Sequence, residues 1–280
     1  SSAASDVYKR QVWHCAAKSS PWGSRQAFYQ ANTRVTEKLA HAAGRCAVQR
    51  FIHISTPAVY FDFSHRHNVT EADVSPRFAN HYAASKFAAE QRIAALLPDY
   101  PQTTYLILRP RGLFGPHDRV IVPRILAQLQ GDKGLLRLPG GGSAYLDLTF
   151  VLNVLHAMDL ASRQPGLPSG SIFNITNQQP QRLADMLHQL LNRQLGWQYA
   201  VKAVPYPLLS GVAAGMELLA HVTRKEPMLT RYSVAAAYFD MTLDNTQAIE
   251  VLGYRPRYSL EQGIELTAQW LKQQGMSADG

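Results

Sequence analysis

The chain has 280 residues, of which 46% are hydrophobic, so it carries enough apolar material for a full core and is neither disordered nor fibrous. Its net charge of +8 suits an anionic partner: a phosphate-bearing cofactor or substrate, an acidic membrane surface, or nucleic acid. The charges are dispersed, and no recognition helix, zinc-finger spacing or Lys/Arg block is present, which argues against nucleic acid.

Residues 1–11 read as a non-native scar, with no charged-then-apolar leader. Gln11 to Ala17 is a short apolar run ending in small residues, as a buried parallel strand does before a ligand loop. A helix is expected from Arg25 to Ala43, with Phe28, Val35 and Leu39 among its apolar positions and Gly44 just past its end. Arg50–Ser55 reads as a strand, Asn80–Leu97 as a helix stopped by Pro98, and Thr104–Leu108 as a strand before Arg109-Pro110. Gly140-Gly141-Gly142 is a turn, and Ser171–Ile175 is one more strand. Pro205 to Val222 is apolar but interrupted by Ser210, Gly211, Gly215, Glu217 and His221, which predicts an amphipathic helix and no integral membrane span. Beyond it the chain is largely helical toward Trp270.

Alternating strands and helices with near-continuous apolar strands predict an α/β fold: a Rossmann-like, doubly wound parallel sheet with helices on both faces. Residues 12–175 form this unit and 176–280 a smaller, mostly helical substrate lobe, to which 116–150 are open to contributing.

Tyr82 and Lys86, four apart on a predicted helix, project from one face. A nearby ammonium favours the phenolate of a tyrosine and brings it toward acid-base work at neutral pH; the same spacing also describes an ordinary surface pair. Thr56 follows an apolar strand at the ligand-facing carboxyl edge of a parallel sheet, where its hydroxyl either binds a substrate oxygen or caps the local turn. Cys15 and Cys46 lack Cys-x-x-Cys spacing, which suggests neither metal nor disulfide and fits a reducing, cytoplasmic compartment with peripheral membrane association left open. His53, His65, His67 and His81 have no carboxylate or cysteine at ligand spacing and read as surface or loop histidines without a metal.

Taken together, His14-Cys15-Ala16-Ala17, Asn32, Ser55-Thr56-x-x-Val59-Tyr60, Tyr82-x-x-x-Lys86 and Leu108-Arg109-Pro110-x-x-Leu113-Phe114-Gly115-Pro116 resemble the extended short-chain dehydrogenases/reductases. Asp147-Leu148-Thr149-Phe150-Val151, Phe173-Asn174-Ile175 and Leu252-Gly253-Tyr254-x-Pro256 extend the likeness to about Leu271. Within the superfamily, Trp13 to Gly23 and Val59-Tyr60-Phe61 are most similar to the 3-beta-hydroxysteroid-dehydrogenase-like branch and its 2-alkyl-3-oxoalkanoate reductases. The resemblance implies hydride transfer with NAD or NADP on a small apolar substrate, with a homodimer as a compatible assembly. It assigns proton exchange to Tyr82, substrate hydrogen bonding to Thr56, the nicotinamide ribose to Lys86, and support of the lysine to Asn32, which otherwise reads as a helix-surface asparagine. It places Ala16, Ala17 and Lys18 along the cofactor, and Pro110 and Leu113 near the nicotinamide. A nucleotide-sugar epimerase or dehydratase, with Arg224, Lys225 and Arg231 for a second diphosphate, and a non-catalytic dinucleotide-binding protein of the same fold stay open.

The family's Gly-x-x-Gly-x-x-Gly loop, which cradles the pyrophosphate, is not found in these residues. The expectation is a sheet lacking its first strands, some ~60 residues short of the family pattern, and weak dinucleotide binding by these 280 residues alone. Isothermal titration calorimetry of this chain should register no tight cofactor complex, and micromolar binding would contradict the expectation.

Overall fold

Successive side chains of the strand β2 (Arg50–Ile54) point to opposite sides, and both sides are apolar: Phe51 joins one core and Ile52 another. The same division holds along β3 (Thr104–Pro110), where Tyr105 and Ile107 face one core and Leu106 and Leu108 the other. With β1 (Gln11–His14) and β4 (Ser171–Ile175) these strands form a parallel sheet in the order β1-β2-β3-β4. A strand buried on both faces needs a helical layer on each. The helices α1 (Val35–Arg45) and α2 (His81–Leu96) cover one face through Ala40, Ala43, Ile93 and Leu96. On the other, α3 (Val151–Arg163) packs Val154, Ala157, Met158 and Ala161, joined by Ala248 and Leu252. The computed structural model describes residues 11–118, 122–131, 134–223 and 225–276, and over these the α/β, Rossmann-like reading holds. The scar expected over residues 1–11 falls almost wholly outside them.

The first helix departs from its sequence reading in two ways. Arg25–Phe28, a π-helical stretch Tyr29–Arg34 and α1 run on as one helix. Gly44 lies inside it, not after it, because the ring of Tyr100 packs where a side chain would stand: a Cβ there would meet Tyr100 Cγ at 2.3 Å. His53 is also corrected. It is fully buried in β2, since a central strand has no surface to offer. His65 and His67 instead flank Asp240, at 3.2 and 3.5 Å.

The remaining residues build a further core from Phe114, Leu138, Phe150, Leu187, Leu191 and, on α5 (Leu260–Gln273), Ile264. Two short sheets border it: Leu135–Pro139 pairs with Ala200–Val204, and Met241–Leu243 lies between Tyr145–Leu146 and Arg66–Val69. Helix α4 (Tyr206–Thr223) follows the strand Ala200–Val204.

One buried ion pair ties α2 to the sheet. Arg109 on β3 donates from Nε and Nη2 to the two carboxylate oxygens of Glu90, at 3.0 and 2.5 Å, with both side chains nearly inaccessible. Removing one member leaves a buried charge uncompensated. Arg109→Met should therefore lower stability by about 3–5 kcal/mol in urea unfolding, and adding Glu90→Leu should recover most of the loss. A wild-type midpoint in Arg109→Met would refute this.

Candidate active site

The side-chain oxygen of Asn80 accepts from the N–H of Ala83 at 2.8 Å, which fixes where α2 begins. Tyr82 and Lys86 then stand one turn apart, and Glu90 one turn further on. Lys86 is buried, and its ammonium donates to the carbonyl of Ile54 at 2.6 Å and meets His53 Nε2 at 3.1 Å. Burial pulls its pKa down to about 8 against the opposing pull of Glu90.

Tyr82 is half-buried, its hydroxyl within hydrogen-bonding reach of the side chains of Thr56 and Ser19. Burial raises its pKa, and the contacts with Thr56 and Ser19 offset only part of that. The sequence expectation that the Lys86 charge brings the phenol toward neutrality is not met in this arrangement. The ammonium is committed to β2, at His53 and Ile54, and does not shift Tyr82.

Thr56 caps the local turn, one of its two sequence readings, and also lies against Tyr82. Its Oγ1 accepts from the N–H of Ala58 at 3.2 Å, capping the turn Pro57–Tyr60, and its side chain also reaches Tyr82. Both contacts lie just past the carboxyl end of β2, the edge where such sheets carry ligands.

Asn32 sits in the π-helical stretch and is buried. Its side chain accepts from the N–H of Lys18 at 2.7 Å, and donates to the carbonyl of Lys18 at 3.1 Å and to Ser85 Oγ at 2.9 Å. It thus holds the loop after β1, in which Ala16, Ala17 and Lys18 are exposed. Its partners are this loop and α2; those of Lys86 are on β2. Pro110 ends β3 at the same sheet edge, and Leu113 follows it, substantially exposed.

Sequence reasoning gave no role in the site to Ser19, Ser85, His14 or Glu90, and took His53 for a surface or loop residue. His14 and His53 are register partners on β1 and β2, and their rings stack with centroids 5.1 Å apart. His14 Nε2 meets Thr36 Oγ1 at 2.8 Å, and burial lowers its pKa to about 4. Glu90 had a sequence signal, four residues beyond Lys86; the histidines had one only once the strand register was known.

A cleft of about 950 Å³ has walls of Trp22, Phe28, Phe63, Phe78, His221 and Tyr232 with Arg25 and His81 at its lining, and Tyr82 adjoins it through Phe28 without lining it. Phe28 meets the Tyr82 ring edge-on at 6.3 Å, and Trp22 meets His221 of α4 at 4.7 Å. Arg231 also lines the cleft, but its guanidinium is held by Glu217 at 2.8 Å. Lys225 is exposed, and Arg224 lies outside the described residues. Both cysteines are free and exposed, and among the described residues no cluster of His, Cys, Asp or Glu could hold a metal ion.

The family described as NAD dependent epimerase/dehydratase matches residues 3–176. The chain is 46% identical to the Escherichia coli (strain K12) protein named "Uncharacterized protein YbjS", over 94% of this chain and 78% of that one. It is 31% identical to a 2-alkyl-3-oxoalkanoate reductase of Stenotrophomonas maltophilia (strain K279a), over 90% of this chain and 78% of that one. In fold it is similar to the UDP-glucuronic acid 4-epimerase of Bacillus cereus in complex with NAD: the TM-score is 0.72 at 23% identity, over 96% of this chain and 75% of that one.

Between about pH 8 and the ordinary 10.5 the unfolded chain keeps the Lys86 proton that the folded chain has released, so stability should rise with pH across that window. Urea titrations at both ends of it should show a rise in wild type that is smaller in Lys86→Met. Equal slopes would rule out the buried ammonium as its source.

Proposed function

The chain belongs to the NAD dependent epimerase/dehydratase family, and from that premise we propose that it is an NAD- or NADP-dependent short-chain dehydrogenase/reductase interconverting a hydroxyl and a ketone on a small apolar substrate. The observation that carries this reading is the position of Tyr82, between the hydroxyls of Thr56 and Ser19 and beside an aromatic-walled cleft.

The residues present fit the nicotinamide end of the cofactor. Ala16 and Ala17 carry a single methyl each in an exposed loop whose backbone Asn32 holds. Lys86 has three N–H donors and two protein partners, which leaves one for a ribose hydroxyl. The cofactor, when bound, supplies or accepts the hydride.

The chain's own residues handle the proton. Tyr82, kept protonated by burial, donates it to a developing alkoxide oxygen and recovers it in the reverse direction. Thr56 fixes that oxygen by a second hydrogen bond. The contacts with Thr56 and Ser19, which pull the Tyr82 pKa down against burial, favour the phenolate that results, and Lys86 holds the ribose. Pro110 and Leu113 border the nicotinamide face.

The aromatic walls of the cleft support an apolar substrate, and of the two arginines that line it Arg231 is paired with Glu217 while Arg25 is the cation a diphosphate would meet. The 2-alkyl-3-oxoalkanoate reductase relative points the same way. A homodimer is compatible with the exposed Val35 and Leu39, one turn apart on α1, and a cytoplasmic location with the free cysteines.

Cofactor oxidation by the full-length protein should be fastest with a long-chain 2-alkyl-3-keto acid, compared with a 3-ketosteroid and a nucleotide sugar. Tyr82→Phe should lower kcat by about 10²–10⁴. Full activity in Tyr82→Phe would remove the mechanism, and a preference for the nucleotide sugar would overturn the substrate class.

A further inference from the structure

Helix α4 is amphipathic in an unusual sense. Its inward side lines the cleft with Glu217, Ala220 and His221. Its outward side carries Leu208, Val212, Leu218, Leu219 and Val222, which are 60, 47, 72, 62 and 79% exposed. These positions, with Gly211 and Gly215 between them, recur at helical spacing on one stripe. A side chain added at either glycine would meet nothing within 4 Å. Met228, just past the helix, is 85% exposed. No charged residue lies on the stripe; Glu217, the acidic residue of α4, is turned to Arg231 at 2.8 Å. A run of exposed leucines and valines this continuous marks an interaction surface.

Its dimensions and charge select the occupant. Eighteen residues make a ridge about 27 Å long and roughly 10 Å wide, about 270 Å², whereas a standard protein interface takes about 800 Å² from each partner. Two copies would also bring together chains of charge +8 each. A lipid surface has neither requirement. Exposed Lys202 lies four residues before the ridge, and exposed Lys225 two residues after it beside the exposed Glu226; these lysines are the cations offered to acidic headgroups. No helix among the described residues is long and apolar enough to cross a membrane, so the geometry is that of a helix lying in the interfacial plane.

We propose that the outer face of α4 docks on an anionic bilayer, with its leucines and valines inserted and Lys202 and Lys225 at the headgroups. The cleft behind α4 then lies against the lipid surface, and an apolar substrate can enter from the membrane; that consequence rests on the reading of the site given above, while the docking does not.

Sedimentation with vesicles of phosphatidylglycerol and phosphatidylcholine, and of phosphatidylcholine alone, tests the docking without substrate or cofactor. The wild-type chain should bind the acidic vesicles more tightly, and more weakly as salt rises. The double variant Leu218→Glu and Leu219→Glu should bind about a hundredfold less, roughly tenfold for each leucine withdrawn from lipid, with unchanged thermal unfolding and unchanged mass on size exclusion. Wild type that ignores acidic vesicles, equal binding to neutral ones, or a double variant that binds like wild type would each overturn the proposal. So would a wild-type dimer that the double variant dissolves, which would give the face to a second copy.

Discussion

The pairing of Glu90 with Arg109 is the constraint on which the arrangement of the site depends. Neither charge can reach water, so each needs its partner at hydrogen-bonding distance. That requirement fixes the height of α2 against β3, and with it the positions of Tyr82 and Lys86 on the same helix. The pair is also satisfied on its other sides. Ser55 donates to Glu90, while Arg109 Nη1 donates to the hydroxyl of Tyr60 at 2.7 Å and to the carbonyl of Glu71 at 3.0 Å. The Tyr60 hydroxyl in turn donates to Asn174 Oδ1 at 2.7 Å, which brings β4 into the same network. Such a network costs desolvation and confers one register. Here that register sets Thr56, the residue after Ser55, beside Tyr82.

A second polar path runs through the other side of the site. The π-helical stretch shifts Asn32 out of ordinary helical phase, and Thr36 donates to the carbonyl of Asn32 at 2.5 Å. The side chain of Asn32 then serves the Lys18 loop and Ser85, while Thr36 meets His14, His14 stacks on His53, and His53 meets Lys86. Loop, helix and two strands are thereby held by one chain of contacts. Among the described residues His53 Nδ1 has no hydrogen-bond partner. A buried imidazole with one unsatisfied nitrogen is expensive to protonate, in accord with its strongly lowered pKa, so it stays a neutral contact for the ammonium.

Much of the fold was legible because its signals are local. Asn80 and Pro98 bracket α2 and give its limits to within a residue, and the β-branched and aromatic run Ser171–Ile175 is a strand as read. The short strands at Gln181–Arg182, Ala200–Val204 and Met241–Leu243 were not legible: they exist through pairing with residues 135–146 and 66–69, and nothing within each segment announces such partners. Gly44 was misplaced for the same reason. Its small size answers to Tyr100, a residue far along the chain. In the site, Tyr82 and Lys86 were visible as a spacing. His53 was taken for a surface residue because a histidine in an apolar run gives no sign of which strand will cover it.

The electrostatics of Tyr82 and Lys86 argue for a division of labour that spacing alone could not supply. A phenol whose pKa is raised by burial is a poor base and a well-kept acid at neutral pH, so the resting site holds its proton. Lys86, lowered to about 8, is still predominantly charged there, yet its charge is directed at β2. In the proposed reaction the contacts with Thr56 and Ser19, which pull the Tyr82 pKa down against burial, are what favours the phenolate, and Lys86, held by His53 and Ile54, is left to the ribose. On the proposed reading the site places its hydroxyl groups where charge develops during proton transfer, which is the condition for a hydrogen-bonding group to accelerate a reaction and not merely to bind.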